Sequence, residues 1–481
     1  VLVFDTAEYV PERSSADVRH WIYNGLDACV TGEILPKLLT KFTPNDRWVY
    51  EFELRLCDLA MKMMLHGVRV DDQARRRLIL EYDSEKERLE EFLNWMGDAI
   101  WGKPLNARSP AQLKDFFYER MGIPSIYKKD KYGERRPTTN EKALLKIADY
   151  IRARPIANTI LAIREIGGFL TVLHSGVDGD DRMRFELSPA STETGRWASR
   201  KNAAGGGQNA QNITDRMRRI FIPDDGFFFA YADLEQAESR VVAYYADDEK
   251  YIAACEQTDL HSGVSQMIWP GADPKSPWRR HFTKRDMSKK CGHASNYKGS
   301  AYGISQTTGI EEKLVEDFQL EYFSTFPGIP RWHASIAQEL QSQGYLETIF
   351  GRTRHFFDRL DADGTIKEAI AHKPQSTVVD YLSKGLIAVD ESLAGPDFQT
   401  LLQIHDAALF QIRLGREDLL ERARSLMRVE VEFPSGKKMI IPNAAKVGFN
   451  WGEETTDNPN GLGKSLAGKR LEIDSILRAV L

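Results

Sequence analysis

Two aspartates and one cationic row hold the chemistry open to this sequence. Asp233 ends an apolar run, Phe227-Phe228-Phe229-Ala230-Tyr231-Ala232, and a helical pattern follows from Gln236 to Val242. Asp406 stands with His405 between two apolar runs, Leu401 to Ile404 and Ala407 to Phe410, which predicts two strands meeting at a tight turn. Between the aspartates, Arg285, Lys289, His293 and Tyr297 recur every four residues, along one helix face. Mg²⁺ takes one or two carboxylates plus phosphate oxygens rather than a full protein cage. Two acidic side chains sharing such ions opposite a cationic helix are what phosphoryl transfer on a nucleotide requires.

Each of these residue types also has a plainer use. A strand-end Asp often caps the next helix, a turn accepts His readily, and a Lys/Arg stripe is usually solvated. The row here changes from cationic to imidazole to phenol along its length. That order suits a nucleotide lying on the helix, with Arg285 and Lys289 toward phosphates, His293 toward sugar or base, and Tyr297 toward the nascent pair. Lys289 is also placed to give a proton to pyrophosphate. Glu238, early in the helix after Asp233, suits the helix dipole; it is also bulky enough to exclude a 2′-hydroxyl beneath a sugar. The loop Thr192-Glu193-Thr194-Gly195-Arg196, with Gln211 and Asn212 beyond it, could contact duplex phosphates and the minor groove without reading sequence. Gly292 costs a helix about 1 kcal/mol against Ala, which predicts close packing or a hinge. Gly205-Gly206-Gly207 predicts a flexible spot rather than a phosphate cradle, because no GxGxxG or GxxxxGK helix start follows.

Around these residues the pattern is mostly helical. A helical stretch covers about Trp21 to Leu39, another Trp48 to Leu65, stopped by Gly67-Val68-Arg69-Val70-Asp71, and a long charged helix runs from Asp71 to about Trp95. Short helices are expected from Asn106 to Pro155, one starting at Ser109-Pro110, with Lys128 to Arg136 a basic, flexible connector. Residues 258–385 read as mostly helical and 386–452 as helix alternating with short strands. The polar tail after Trp451 is expected to become a basic amphipathic helix over Leu462 to Leu481.

Composition narrows the class. At 481 residues the chain can hold more than one core, and 42% apolar with 28% charged residues argues against disorder. The net charge of −5 would by itself reject a nucleic-acid binder. Its distribution does not: Trp278 to Lys298 carries seven Lys/Arg against one Asp, and Glu193 to Arg219 six against two. Cys29, Cys57, Cys255 and Cys291 form no CxxC, so neither a zinc framework nor disulfides are expected, which fits a reducing compartment. No apolar run reads as long enough to span a bilayer and no secretory signal is visible, so a cytoplasmic setting is expected. Val1 is not a Met start, which fits a fragment, a processed product or an engineered piece.

Taken together these residues resemble the family A DNA polymerases, the group of bacterial DNA polymerase I and many phage replicative enzymes. Asp233-Leu234-Glu235-Gln236-Ala237-Glu238-Ser239-Arg240 looks like the first palm motif, Arg285 to Gly299 like the fingers helix, and Gln403-Ile404-His405-Asp406 like the second palm carboxylate motif. Thr194-Gly195-Arg196, Asp259-Leu260-His261, Glu347-Thr348 with Gly351-Arg352, Pro374-Gln375-Ser376-Thr377 and Gly448-Phe449-Asn450-Trp451 are further matches, from about residue 20 to 452.

The resemblance implies an α+β right-hand fold with an antiparallel-sheet palm, helical fingers and a helical thumb. It divides the chain into an exonuclease-domain remnant (1–40), the start of the palm (41–71), thumb (72–187), palm (188–257), fingers (258–385), palm again (386–452) and a tail (453–481). It implies template-directed DNA synthesis with two Mg²⁺ ions, primer-template DNA and dNTPs as partners, and no membrane. Asp233 and Asp406 would be the metal ligands, with the Leu234 carbonyl assisting and Lys289 catalytic. The dNTP would meet Arg285, Lys289, His293, Tyr297, His261, Glu238 and Gln236, and DNA would meet Arg196, Gln211, Asn212, Gln375 and His405. A single-subunit RNA polymerase and a catalytically dead DNA-binding subunit are the rival readings; Glu238 argues against the first, and the Asp pair with Lys289 against the second.

The sequence departs from the family pattern at three places. His293 stands where Phe or Tyr is usual, leaving behaviour toward dideoxynucleotides open. Ala407 stands where an acidic residue often follows the second Asp, and Lys298 where Gly is common. Tyr23-Asn24-Gly25-Leu26-Asp27 is similar to the last motif of the 3′-5′ exonuclease domain, but Asp5 and Glu8 lack the DxE spacing. The expectation is no proofreading by this polypeptide, with an exonuclease in an upstream domain or a separate chain.

Overall fold

The computed structural model describes residues 15–129, 134–189, 191–202, 205–257, 259–279 and 282–469. Asp5 and Glu8 lie outside them. Described strands and helices segregate in the α+β manner, with three separate hydrophobic cores, as the length predicts. The largest core surrounds a four-stranded antiparallel sheet. Phe227–Leu234 lies inside it, paired on one side with Ala407–Arg413 and on the other with Asn443–Gly448, while Phe398–Ile404 forms an edge. Phe228, Phe229, Ala230 and Ala232 are wholly buried, so the apolar run reads correctly as a central strand.

The second core is helical. It joins Lys284–Asn296, Glu312–Thr325, Gly328–Gln343 and the start of the long helix Asp363–Leu393. Thr283 starts the basic helix with a capping box, its hydroxyl accepting from the Asp286 N–H while the Asp286 carboxylate accepts from the Thr283 N–H. The third core caps the far end of the pair Asp72–Trp101 and Arg154–Leu173.

Four expectations need correction. Lys128 to Arg136 contributes to a strand pair, Tyr127–Lys129 with Arg135–Pro137, because backbone hydrogen bonds can order a charged segment that buries little. Arg154–Leu173 is long and apolar enough to cross a membrane, contrary to the sequence reading. Its apolar stripe, including Ile156, Ile160, Ile163 and Leu173, is buried against protein. The tail from Leu462 to Lys469 is turns and isolated bridges rather than helix, Gly463 pairing with Val447; the remainder lies outside the described residues. Gly207 is docked rather than loose: at φ +68, an added Cβ would meet the Arg184 carbonyl at 2.2 Å. At Gly292 a Cβ would make ordinary contact with the Tyr322 ring, 3.6 Å away, so packing does not require glycine.

Candidate active site

Strand register brings the two aspartates together. Asp233 pairs with Ala407, and the Leu234 N–H donates to the Asp406 carbonyl at 3.1 Å. Ile404 pairs with Ala407, leaving His405 and Asp406 as a two-residue turn with His405 in the left-handed region at φ +56. Burial and then the Asp406 charge push Asp233 up to about 7. More than a third of the residue's surface stays open to water, which screens the charge. Asp406 is also raised, mainly by burial. Among the described residues no group of three or more His, Cys, Asp or Glu side chains gathers for a metal. The pair is an oxygen-only donor set that fits Mg²⁺, which completes its shell with phosphate and water oxygens, better than a soft metal.

Beside the pair opens a cleft of about 760 Å³, with Gln236, Glu238, His261, Lys289, His293 and Asp406 on its walls. Gln236 joins strand to helix at φ +58, a left-handed conformation that costs a side-chain-bearing residue about 1–2 kcal/mol. Burial lowers the His261 pKa, which favours a neutral imidazole. Arg285 does not line the cleft; its Nε donates to Asp259 Oδ2 at 2.8 Å. Against the effect of burial, Arg285 and Ser262 hold the Asp259 carboxyl down at about 2.

Glu238 is a hub. Arg196 Nη2 donates to its Oε1 at 2.5 Å, the Tyr297 hydroxyl donates to its Oε2 at 2.5 Å, and His293 Nε2 lies 3.6 Å from Oε2. Tyr297 sits just past the end of Lys284–Asn296, so the four-residue row leaves the helix at its last member. The remaining predicted residues do not line the cleft. Gln211 donates to the Trp197 carbonyl at 2.7 Å, Asn212 and His405 are exposed, and Gln375 is half-buried in Asp363–Leu393.

Sequence reasoning gave no role to Asp259 as the partner of Arg285, although a capping Asp before His261 was a visible signal. It also missed Lys446, whose charge opposes the upward shift of Asp233 and which had no signal in the sequence.

The sequence profile described as DNA polymerase family A matches residues 77–453. The chain belongs to DNA polymerase family A. Among relatives, this family A chain is 27% identical over 450 residues to the thermostable DNA polymerase I of Thermus filiformis, covering 89% of this chain and 51% of that protein. It is 28% identical over 426 residues to DNA polymerase I of Chloroflexus aurantiacus, covering 84% and 43%. The chain thus spans about half the length of the curated relatives it matches. In three dimensions it resembles the POL domain of Pol1 from M. smegmatis, solved in complex with DNA primer-template and dNTP. The TM-score is 0.71 at 24% identity, covering 83% of this chain and 70% of that one. The right-hand α+β fold expected from the motifs is the fold of this family A chain.

Proposed function

We propose that this chain adds deoxynucleotides to a primer 3′-hydroxyl on a DNA template, releasing pyrophosphate. The observation that carries the reading is the junction of Asp233 and Asp406 beside a cleft whose opposite wall bears Lys289 and His293. Asp233 and Asp406 would hold two Mg²⁺ ions, with the Leu234 carbonyl as a further oxygen donor. When bound, such ions activate the 3′-hydroxyl and neutralise charge on the leaving pyrophosphate. The protein groups do the rest. Lys289 faces the triphosphate and gives a proton to the departing pyrophosphate. His261 holds its phosphates, and Arg285, one helical turn before Lys289, joins it by exchanging its Asp259 partner for them. Tyr297, His293 and Gln236 border the sugar and base, and Glu238 fills the space a 2′-hydroxyl needs. Arg196, Gln211, Asn212, Gln375 and His405 meet the duplex. In this scheme 72–187 is the thumb, 258–385 the fingers, and 41–71, 188–257 and 386–452 form the palm.

Primer extension by Asp406→Asn tests the scheme. The expected result is a loss of about a thousandfold in rate, the scale of removing one strong transition-state contact, with primer-template affinity kept. Extension at the wild-type rate would reject it. Equal use of dNTPs and rNTPs by the wild-type chain would reject the gate assigned to Glu238.

A further inference from the structure

The loop that presents Arg196 rests on a buried charge cluster remote from the chemistry. Arg352 Nη2 lies 2.6 Å from Glu53 Oε1 on Pro44–His66 and donates to Asp380 Oδ1 at 2.8 Å on Asp363–Leu393. Its Nε donates to Asp380 Oδ2 at 3.1 Å. Asp380 is wholly buried, and burial raises both carboxyls. Two acids and one base out of water are held only while all three stay paired, so the guanidinium plane is fixed.

That plane is the floor of the loop. Gly195 lies at φ +75, and a Cβ there would sit 2.8 Å from Arg352 Cζ and 2.9 Å from Nε. Two residues before Gly195, Glu193 pairs with Arg354, whose guanidinium also packs 4.5 Å from the Phe356 ring. The next residue in the loop, Arg196, holds Glu238 Oε1 while Tyr297 holds Oε2. Glu238 is therefore aimed from two sides, and one side is built on Arg352.

We infer that Arg352 is a positioning residue for sugar selection, acting through Gly195 and Arg196 to fix the carboxylate of Glu238. Its side-chain contacts are Glu53, Asp380 and the Gly195 loop, none of which is assigned to substrate or metal. The inference rests on the gate role proposed for Glu238. A planar guanidinium is required, because a lysine ammonium keeps the charge but gives neither the two-point grip on Asp380 nor a flat floor for Gly195.

The test measures the ratio of kcat/KM for a dNTP to that for the matching rNTP in primer extension. Gly195→Ala, which keeps all three charges but drives a Cβ against the guanidinium, and Arg352→Lys should each lower the ratio by about tenfold, the scale of one lost charge-assisted hydrogen bond. Arg196→Ala should do the same. In an Arg196→Ala background, Arg352→Lys should cause no further loss, a non-additivity that a merely structural role would not produce. If Arg352→Lys fails to fold, Gly195→Ala alone decides. Wild-type discrimination by Gly195→Ala, or additive losses in the double variant, would overturn the inference. A wild-type chain that extends no primer would instead remove the polymerase reading beneath it.

Discussion

The two walls of the cleft are built to opposite standards. Asp233 and Asp406 are mounted on backbone: a central strand paired on both sides, a two-residue turn, and a hydrogen bond from Leu234 to Asp406 itself. Lys289 and His293 are mounted on one helix, and the orienting contacts of that helix are side-chain contacts, His293 beside Glu238 and, off the cleft itself, Arg285 to Asp259. Moving a carboxylate means breaking a sheet, whereas moving the cationic wall means exchanging ion pairs. The difference teaches where precision is needed. Oxygen ligands of a small hard cation tolerate little displacement, while charges that meet a triphosphate act over a longer range.

The comparison can be broken from either wall. Asp233→Asn should have the largest effect, a fall of about a thousandfold in primer extension, with primer-template affinity unchanged in a gel-shift assay. A loss under tenfold would place the metal elsewhere. Lys289→Ala should cost about a hundredfold in kcat, the low end of general-acid contributions. A loss confined to KM would leave it a phosphate contact alone.

The smallest effect is on stability. Asp233 has a folded pKa raised above its unfolded value of about 3.9. The folded state therefore binds more protons than the unfolded chain between about pH 4 and 7. In that window the contribution of Asp233 to metal-free stability falls as pH rises. Asp233→Asn should then raise the metal-free Tm at pH 8 by roughly a degree or two, and Mg²⁺ should stabilise the wild type at pH 8 more than at pH 5.5. A metal-free Tm that climbs with pH through that window specifically because of Asp233 would reverse the sign.

Much of this was readable from the chain alone. The short, aromatic-rich apolar run before Asp233 favours a buried strand, and the turn at His405-Asp406 follows from two apolar segments with no room for a longer loop. The basic helix announced itself by spacing, though Tyr297 falls beyond its end. Other features were closed to such reading. The pairing of Tyr127–Lys129 with Arg135–Pro137 depends on backbone bonds that charged side chains neither favour nor advertise. Arg154–Leu173 is apolar enough for two environments, and its packing partners decide between them. The grouping of Glu53, Arg352 and Asp380 joins three distant parts of the chain, each of which looks like an ordinary surface charge until the fold dries it.

The hairpin that carries Asp406 has a consequence for how such a protein can change over time. A strand may grow or shrink at its distant end without disturbing what lies at its tip. The tip itself has no spare length: one residue gained or lost between Ile404 and Ala407 would slip the pairing and flip alternate side chains to the other side. Length variation among descendants of this chain should gather at the far ends of these ribbons and be missing from this bend.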